Sequence, residues 1–600
     1  MSLEITPLPI TKTDKLINWI ASAKKFAPAK DLAVFPLDTE GSVGLGYDWD
    51  FLYVQVNVPF AVHPVGSRSW RSGDGFLLTV SPNINASQEF LSLGFGGSSK
   101  DPQAVLVNNC GRWFPVAATN EIRYLISSLK GETEYKAAIP WSLLAPIRPL
   151  PIGGIGLNLS FIGNYQGNKV ISQLVPDQMY DTEDTNLRQV MALAFAPHPW
   201  QRAKAQTVLT QSRWLGDKPL QLNLGVYSPV SAPAELTVSI RSQEIELEKY
   251  CFAMELAPGI HRWIVRWSPH RALAPGLYNL QVRGKGGHKD YLKNHSFLVL
   301  DLKDLSSLGS ALEAMENDVK FLHQDAVHTA LAQLQWLSNY GQTPPWEVTD
   351  KPLQVLAEIQ RMLDALRVGE NPLAEVKGLN RRAFRSKLDG SLQPYSIYLP
   401  KAYSPNKRWP ALVLLHGSGV DDAQFSANPD IHRLSERMGM VIILPLGRDK
   451  SGWYLDQCET DIFEALSATK SSLSLDWSRI FLAGFSMGGF GTWHTGLRHP
   501  RQFAGLAVLS GLPSLPKGLP HKPQYTFTPS NYAEAACSLP ILVVHGAQDD
   551  AVPIEPTRQV VQQLKETGAE LTWRELPKAG HGDYDWVSEL SSWLKLQLKK

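Results

Sequence analysis

The stretch FLAGFSMGGFGTWH, residues 481–494, decides how the last third of this chain is read. An apolar run leads into Gly484, Ser486 stands two residues further on, and Gly488 and Gly489 follow before a segment of helical character. With 45 glycines in 600 residues, a Gly-x-Ser-x-Gly pentad arises by chance roughly 0.2 times in a chain of this length at ordinary serine usage. The pentad alone decides nothing, so its setting must. RIFLAGF (479–485) reads as a buried strand and GFGTWHTGLRH (489–499) as a helix, which puts Ser486 at a strand-to-helix junction. A turn that tight holds its central residue in strained backbone geometry, and side chains at 484 and 488 would collide with the neighbouring strand and helix.

Around that junction, from about residue 376 to 600, apolar strands alternate with helix-like segments. The strands read PYSIYLP (394–400), PALVLLHG (410–417), VIILPLG (441–447), GLAVLSG (505–511) and ILVVHG (541–546), several of them continuously apolar rather than alternating, as a sheet covered on both faces requires. The expected fold of this region is an α/β-hydrolase domain with a mostly parallel sheet. GLPSLPKGLPHKPQYTFTPS (511–530) is an insertion after a strand, read as a surface loop or partial lid.

A serine hydroxyl needs a base to become a nucleophile, and the base needs an acid to orient it. Downstream of Ser486, HGAQDDAVP (545–553) offers Asp549 or Asp550 at a strand end. Asp549 is preferred for its place between His545-Gly546 and Val552-Pro553. WRELPKAGHGDYDW (573–586) puts His581 in a loop after the last strand, and it is the expected base. His545 is read as a brace for the acid turn and His494, on the helix after Ser486, as structural. Two backbone amides must hold the oxyanion: Met487, directly after the nucleophile, and Ser418, in the Gly417–Gly419 loop that His416 is expected to fix. The site so assembled calls for no metal and no cofactor.

The rest of the chain has a different texture. Six hundred residues exceed one core, so the chain is multidomain. Residues 1–203 carry short strands such as FLYVQVNVPF (51–60), GDGFLLTVSP (73–82), QEFLSLGFGG (88–97) and IGGIGLNLSFIG (152–163), and residues 204–302 carry PLQLNLGVYSP (219–229), PAELTVSIRSQ (233–243), HRWIVRWSP (261–269) and GLYNLQVRGKGG (276–287). Each region reads as an all-β sandwich, the second of immunoglobulin-like texture. Between 303 and 375 the apolar residues Leu312, Met315, Val319, Leu322, Val327, Ala330, Leu331 and Leu334 suggest one long amphipathic helix, and KPLQVLAEIQRMLDALRVG (351–369) a second. Together they predict a helical hairpin linker.

Charge and cysteines exclude more than they indicate. Fifty-eight basic against 57 acidic residues leave a net charge of +1, without the field that draws in nucleic acid or anionic lipid. No run approaches 18 apolar residues, and the start MSLEITPLPITKTDK has no export signal as written. The expectation is a cytoplasmic location by default, or an extracytoplasmic one if the N-terminus has been trimmed. Cys110, Cys251, Cys458 and Cys537 form no Cys-x-x-Cys pair, and a Cys458–Cys537 bridge stays open beside two free buried thiols.

A resemblance covers about residues 380–600. SIYLPKAYSPNKRWPALVLLHGSG (396–419), GFSMGGFGTWHTGLRHPRQFAGLAVLSG (484–511), HGAQDDAVP and AGHGDYDW (579–586) are similar to the α/β-hydrolase esterases grouped as polyhydroxybutyrate-depolymerase-like and feruloyl-esterase-like, and to the prolyl-oligopeptidase catalytic domain. The resemblance implies a serine carboxylesterase with Ser486, Asp549 and His581 as triad, acting on a small-molecule or polymer-linked ester. SGWYLDQCETDIFEAL (451–466) resembles the segment before the nucleophile in those enzymes, which would put Trp453 and Tyr454 in the acyl pocket; aromatic core packing is the other reading. YDWDFLYVQVNV (47–58), WRSGDGFLLTV (70–80) and YKAAIPWSLL (135–144) resemble family 9-like carbohydrate-binding modules, which implies a carbohydrate partner and makes Trp70 and Trp113 candidates for stacking on sugar. The competing functions are a prolyl-oligopeptidase-type peptidase, which would carry a propeller of repeated blades, and a binding or adhesion protein with a vestigial hydrolase domain.

Overall fold

The computed structural model describes residues 4–7, 13, 15–20, 26–59, 75–82, 91–97, 102–106, 121–129, 131–145, 147–165, 168–176, 189–196, 200, 202–211, 213–216, 218–243, 245–270, 273–286, 290–318, 323–340, 348–448, 452–515, 532–549 and 551–599. The chain divides into two compact units, one of residues 1–112, 116–306 and 337–355, the other of 113–115, 307–336 and 356–600.

The first unit is built from sheets. A 12-stranded sheet gathers strands from Leu16–Trp19 to Met191–Phe195, and one core cluster with Phe76, Phe95, Tyr135, Trp141 and Phe161 serves it. Gly75–Ser81 is buried at every position. Its polar residues tolerate this because they are paired, as the Thr79 and Ser92 hydroxyls show at 3.1 Å. A four-stranded and a five-stranded sheet follow, with Leu222, Val238, Val265, Val282 and Phe297 in their shared core. The strand Glu4–Pro7 pairs with Gly259–Trp267, so the beginning of the chain completes a sheet whose other strands lie beyond residue 203.

Three helices replace the expected two: α1 (Leu302–Glu316), α2 (Gln324–Asn339) and α3 (Lys351–Arg367). The long apolar stripe had concealed a break. Between Leu322 and Val327 it takes a five-residue step, which one helical face does not allow. The Gln324 side chain then caps α1, its Nε2 donating to the carbonyls of Met315, Glu316 and Asp318 at 3.5, 3.2 and 3.4 Å. Leu312, Val327, Ala330, Leu331 and Leu334 are buried as the stripe predicts, whereas Val319 and Leu322 lie outside the described residues.

The second unit carries an eight-stranded sheet: β1 (Gly378–Arg385), β2 (Leu392–Leu399), β3 (Trp409–Leu415), β4 (Val441–Pro445), β5 (Leu475–Phe485), β6 (Gly505–Leu509), β7 (Ile541–Gly546) and β8 (Leu571–Leu576). Their spatial order is β1-β2-β4-β3-β5-β6-β7-β8. β2 is antiparallel to both neighbours, and every pair from β4 onward is parallel. Alternate residues feed two cores. Val413, Ile443, Leu482, Val508 and Val543 face one cluster, and Leu412, Leu414, Ile442, Ala483, Ala507 and Val544 face the other. This is why the central strands read as unbroken apolar runs.

Helix α2 is tied to this sheet through a buried cation. Arg382 on β1 is fully buried, donates to Leu373 O at 2.7 Å, Asn380 Oδ1 at 2.8 Å and Ser472 Oγ at 3.1 Å, and lies 3.9 Å from the buried Asp325 of α2. Arg382→Met would leave the Asp325 carboxylate buried without its counter-charge. We expect it to lower unfolding free energy by about 3–5 kcal/mol, measured by urea denaturation; a change under 1 kcal/mol would refute the pairing's importance.

Candidate active site

The turn from β5 into the helix Met487–Arg498 has the backbone that its glycines predict. Ser486 sits at φ 57° and ψ −115°, in the left-handed region that costs a non-glycine residue strain. Its conformation is held by its own N–H, which donates to Leu509 O at 2.9 Å, and by its carbonyl, which accepts from Phe490 N at 3.1 Å. The glycines around it are where other backbone passes through the space of a side chain. A Cβ on Gly484 would stand 2.1 Å from Gly488 O, one on Gly488 2.3 Å from Leu415 O, and one on Gly489 2.5 Å from Gly511 Cα. Since the obstacles are backbone, Gly484→Ala is expected to destabilise by about 3 kcal/mol or more, read as a fall in urea midpoint; wild-type stability would contradict this packing.

The acid turn and the base loop are stitched together by backbone. Ala547 N donates to Leu576 O and Gln548 N to Ala579 O, both at 2.9 Å, and a Cβ on Gly546 would lie 2.3 Å from Ala579 O. This brings His581 Nδ1 to 2.8 Å from Asp549 Oδ2. Asp549 Oδ1 accepts from Val552 N at 2.7 Å and Ala551 N at 3.1 Å. Burial pushes this carboxyl upward, but hydrogen bonds from His545, His581 and the Val552 amide outweigh it and hold the group well below the usual carboxylate range. A carboxylate only accepts, so Nδ1 of His581 carries a proton in this hydrogen bond. Asp550, the other candidate acid, lies outside the described residues.

His581 reaches the elbow through Phe485, the residue before Ser486. The two rings are 4.8 Å apart, and Gly582, at φ +83°, lies so close that a Cβ would be 2.8 Å from the Phe485 ring. Phe485 was not singled out from sequence; the Gly582 beside the base was the signal that something packs against that loop. His545 does brace the acid turn: Nε2 meets Val552 O at 2.9 Å and lies 3.4 Å from Asp549 Oδ2. His494 is structural, with Nε2 2.8 Å from Arg498 Nη1 and its ring stacked on Phe490. Burial first, then the positive charge of Arg498, pulls its pKa down to about 4.

The loop after β3 runs beside Ser486. The two ring nitrogens of His416 meet Gly417 O at 2.9 Å and Leu446 O at 2.8 Å, and a Cβ on Gly417 would lie 3.6 Å from Ser486 Cβ. Ser418 follows directly and is half-buried. Met487 opens its helix, so its N–H is among those a helix leaves without an internal partner.

Tyr454 is no pocket wall. It is 1% exposed and its hydroxyl contacts the backbone of His416; the core reading holds for this residue. Trp453 is half-buried, edge-on to Phe490 with centroids 5.8 Å apart. Cys458 and Cys537 are unbridged, and Cys537 is exposed, with its Sγ 3.3 Å from Thr567 O. Trp70, Trp113, Cys110 and residues 516–530 of the insertion lie outside the described residues. In a different aromatic group Trp19 packs edge to face on Trp49 and on Trp200, which are tilted 34° to each other, around a cavity of only about 10 Å³, which leaves no room for a sugar ring.

Residues 459–597 match the model of the Phospholipase/Carboxylesterase family, and they include the elbow, the acid turn and the base loop on a sheet with one antiparallel strand near its start. The C-terminal region is an α/β-hydrolase domain. Over 166 residues the chain is 26% identical to a bifunctional acetylxylan esterase/xylanase of Neocallimastix patriciarum (27% of this chain, 22% of that protein), and over 132 residues it is 29% identical to an acetyl esterase of Caldicellulosiruptor saccharolyticus (20% and 49%). It is also 31% identical to a carboxylesterase of Arabidopsis thaliana (20% and 49%). The chain thus spans half or less of the length of these relatives. Among solved structures it is similar to a ferulic acid esterase (21% identity, TM-score 0.33, 37% of this chain and 97% of that one). An S-formylglutathione hydrolase from Agrobacterium tumefaciens is similar at 19% identity and TM-score 0.32, over 37% of this chain and 94% of that one.

Proposed function

We propose that the protein is a serine carboxylesterase with Ser486 as nucleophile, His581 as base and Asp549 as its orienting acid. The observation that carries this reading is the 2.8 Å hydrogen bond from His581 Nδ1 to Asp549, made by an imidazole packed on the residue next to Ser486. Ser486 Oγ attacks the ester carbonyl and its proton passes to His581 Nε2; the amides of Met487 and Ser418 hold the oxyanion. Collapse expels the alcohol, which takes the proton from His581. Water, deprotonated by the same Nε2, then attacks the acyl-enzyme; the acyl–Oγ bond breaks, Ser486 Oγ takes the proton back from His581, and the acid is released. Covalent labelling of Ser486 by a fluorophosphonate tests the live nucleophile, and an unlabelled serine favours the vestigial-domain alternative.

Substrates joined to carbohydrate or polymer are the finer part of the proposal. Its support is that relatives include a bifunctional acetylxylan esterase/xylanase and an acetyl esterase, and that the described strands within residues 1–302 pair into sheets, which we read as two sandwiches, the first carbohydrate-binding-like. A panel of acetyl, longer acyl, feruloyl and peptide-amide substrates tests it. Hydrolysis confined to the amide would move the reading to the peptidase, which is not favoured: the described strands of the first unit pair into sheets of four, five and twelve, not into repeated four-stranded blades.

A further inference from the structure

Tyr454 occupies a position that its backbone disfavours. It lies at φ +52°, with Trp453 at +55° and Asp456 at +49°. Three non-glycine residues in that region within four positions persist only where their surroundings over-determine them. For Tyr454 the surroundings are two glycines and a backbone. A Cβ on Gly447, just past β4, would lie 2.6 Å from its ring, and one on Gly491, in the helix that Ser486 caps, 2.5 Å. The ring is therefore wedged between the end of a strand and the first turns of the nucleophile helix. Its hydroxyl accepts from His416 N at 2.9 Å and donates to His416 O at 3.3 Å, which uses both the donor and an acceptor position of a phenol. Burial drives the phenol pKa far upward, so the O–H stays protonated and able to donate at any working pH.

His416 opens the loop that carries Ser418, and that loop runs beside Ser486: a Cβ added at Gly417 would lie 3.6 Å from Ser486 Cβ. We propose that Tyr454 is a positioning residue for the oxyanion hole: by clamping both backbone polar groups of His416, it sets where the Ser418 amide stands relative to Ser486. The inference rests on the esterase reading above. An amide aimed at a developing oxyanion is worth most when charge has formed, and small displacements weaken it steeply. Loss of the clamp therefore acts on kcat and spares ground-state ester binding.

The test pairs Tyr454→Phe with Tyr403→Phe. Tyr403 is an equally buried tyrosine whose hydroxyl accepts from Ser474 N at 3.0 Å and has no contact with the oxyanion loop among its described hydrogen bonds. Tyr454→Phe is expected to lower kcat for p-nitrophenyl acetate about 10- to 100-fold with KM within about twofold, and to weaken a trifluoromethyl ketone, which forms a tetrahedral adduct on the nucleophile, by the same factor. Tyr403→Phe should match its loss of Tm and leave both constants within about twofold. Equal kcat losses in the two variants, or a kcat loss with no change in ketone affinity, overturn the proposal. Should Tyr454→Phe not fold, amide exchange in the wild type decides: a His416 N–H as protected as those of β3 supports the clamp, and fast exchange overturns it. A wild-type chain with no esterase activity overturns the esterase reading and this inference with it. That outcome is distinct from an active wild type beside an indifferent variant, which overturns the clamp alone.

Discussion

Ser486→Ala is expected to lower kcat/KM for p-nitrophenyl acetate by about 10⁴- to 10⁶-fold. The variant removes one oxygen and leaves the turn intact, because alanine meets the same φ of 57° with a side chain no larger than serine's. The bonds that hold the turn, from Ser486 N to Leu509 O and from Phe490 N to Ser486 O, are backbone to backbone and survive. Tm should therefore stay at the wild-type value while hydrolysis disappears. That split separates a nucleophile from a packing residue, since a packing role would move stability with activity. Turnover at the wild-type rate would remove Ser486, and the acyl-enzyme with it, from the mechanism.

Asp549→Asn is expected to lower kcat by about 10⁴-fold. The amide is the same size as the carboxyl, but it no longer demands a proton on His581 Nδ1, so the imidazole loses the tautomer that leaves Nε2 free to accept. The same change at Asp550 should cost less than about tenfold, and equal losses at both positions would refute the assignment. Stability against pH offers an independent reading. The folded Asp549 carboxyl is held below its ordinary value, so its stabilisation is fully present above the unfolded pKa of about 4. It is lost as pH falls from there through the depressed folded value. The gap in unfolding free energy between wild type and Asp549→Asn should accordingly narrow below about pH 4, and a gap that widens on acidification would contradict the hydrogen bonds from His545, His581 and Val552.

Much of this site could be read before any fold was known, for a local reason. Gly484, Ser486 and Gly488 are required by one turn whose strand and helix are adjacent in the chain. The apolar runs of β3, β5 and β7 likewise advertise a sheet covered on both sides. Where the reading failed, the missing information lay in contacts, some of them between segments distant in the chain, rather than in periodicity. The helical stripe from Leu312 to Leu334 contained a five-residue step, yet only the capping of Met315, Glu316 and Asp318 by Gln324 shows that the chain turns there. The pairing of Glu4–Pro7 with Gly259–Trp267 joins residues more than 250 apart in sequence, and no local pattern encodes it.

Tyr454 marks the boundary most clearly. Its aromatic character fitted a pocket wall and a core brace equally well. The choice depended on Gly447, Gly491 and the His416 backbone, three segments that the sheet brings around one ring. By itself, the amino-acid sequence determined the elbow, the chain order of Ser486, Asp549 and His581 on which the proposal rests, and the two-sided parallel sheet, because each follows from residues near one another or from periodicity along a strand. The tertiary structure alone decided that His581 bonds Asp549, that Phe485 packs on the imidazole, and that Tyr454 grips the His416 backbone. Contacts of that kind arise between distant segments, and their geometry is fixed by packing against third parties that no single stretch of sequence contains.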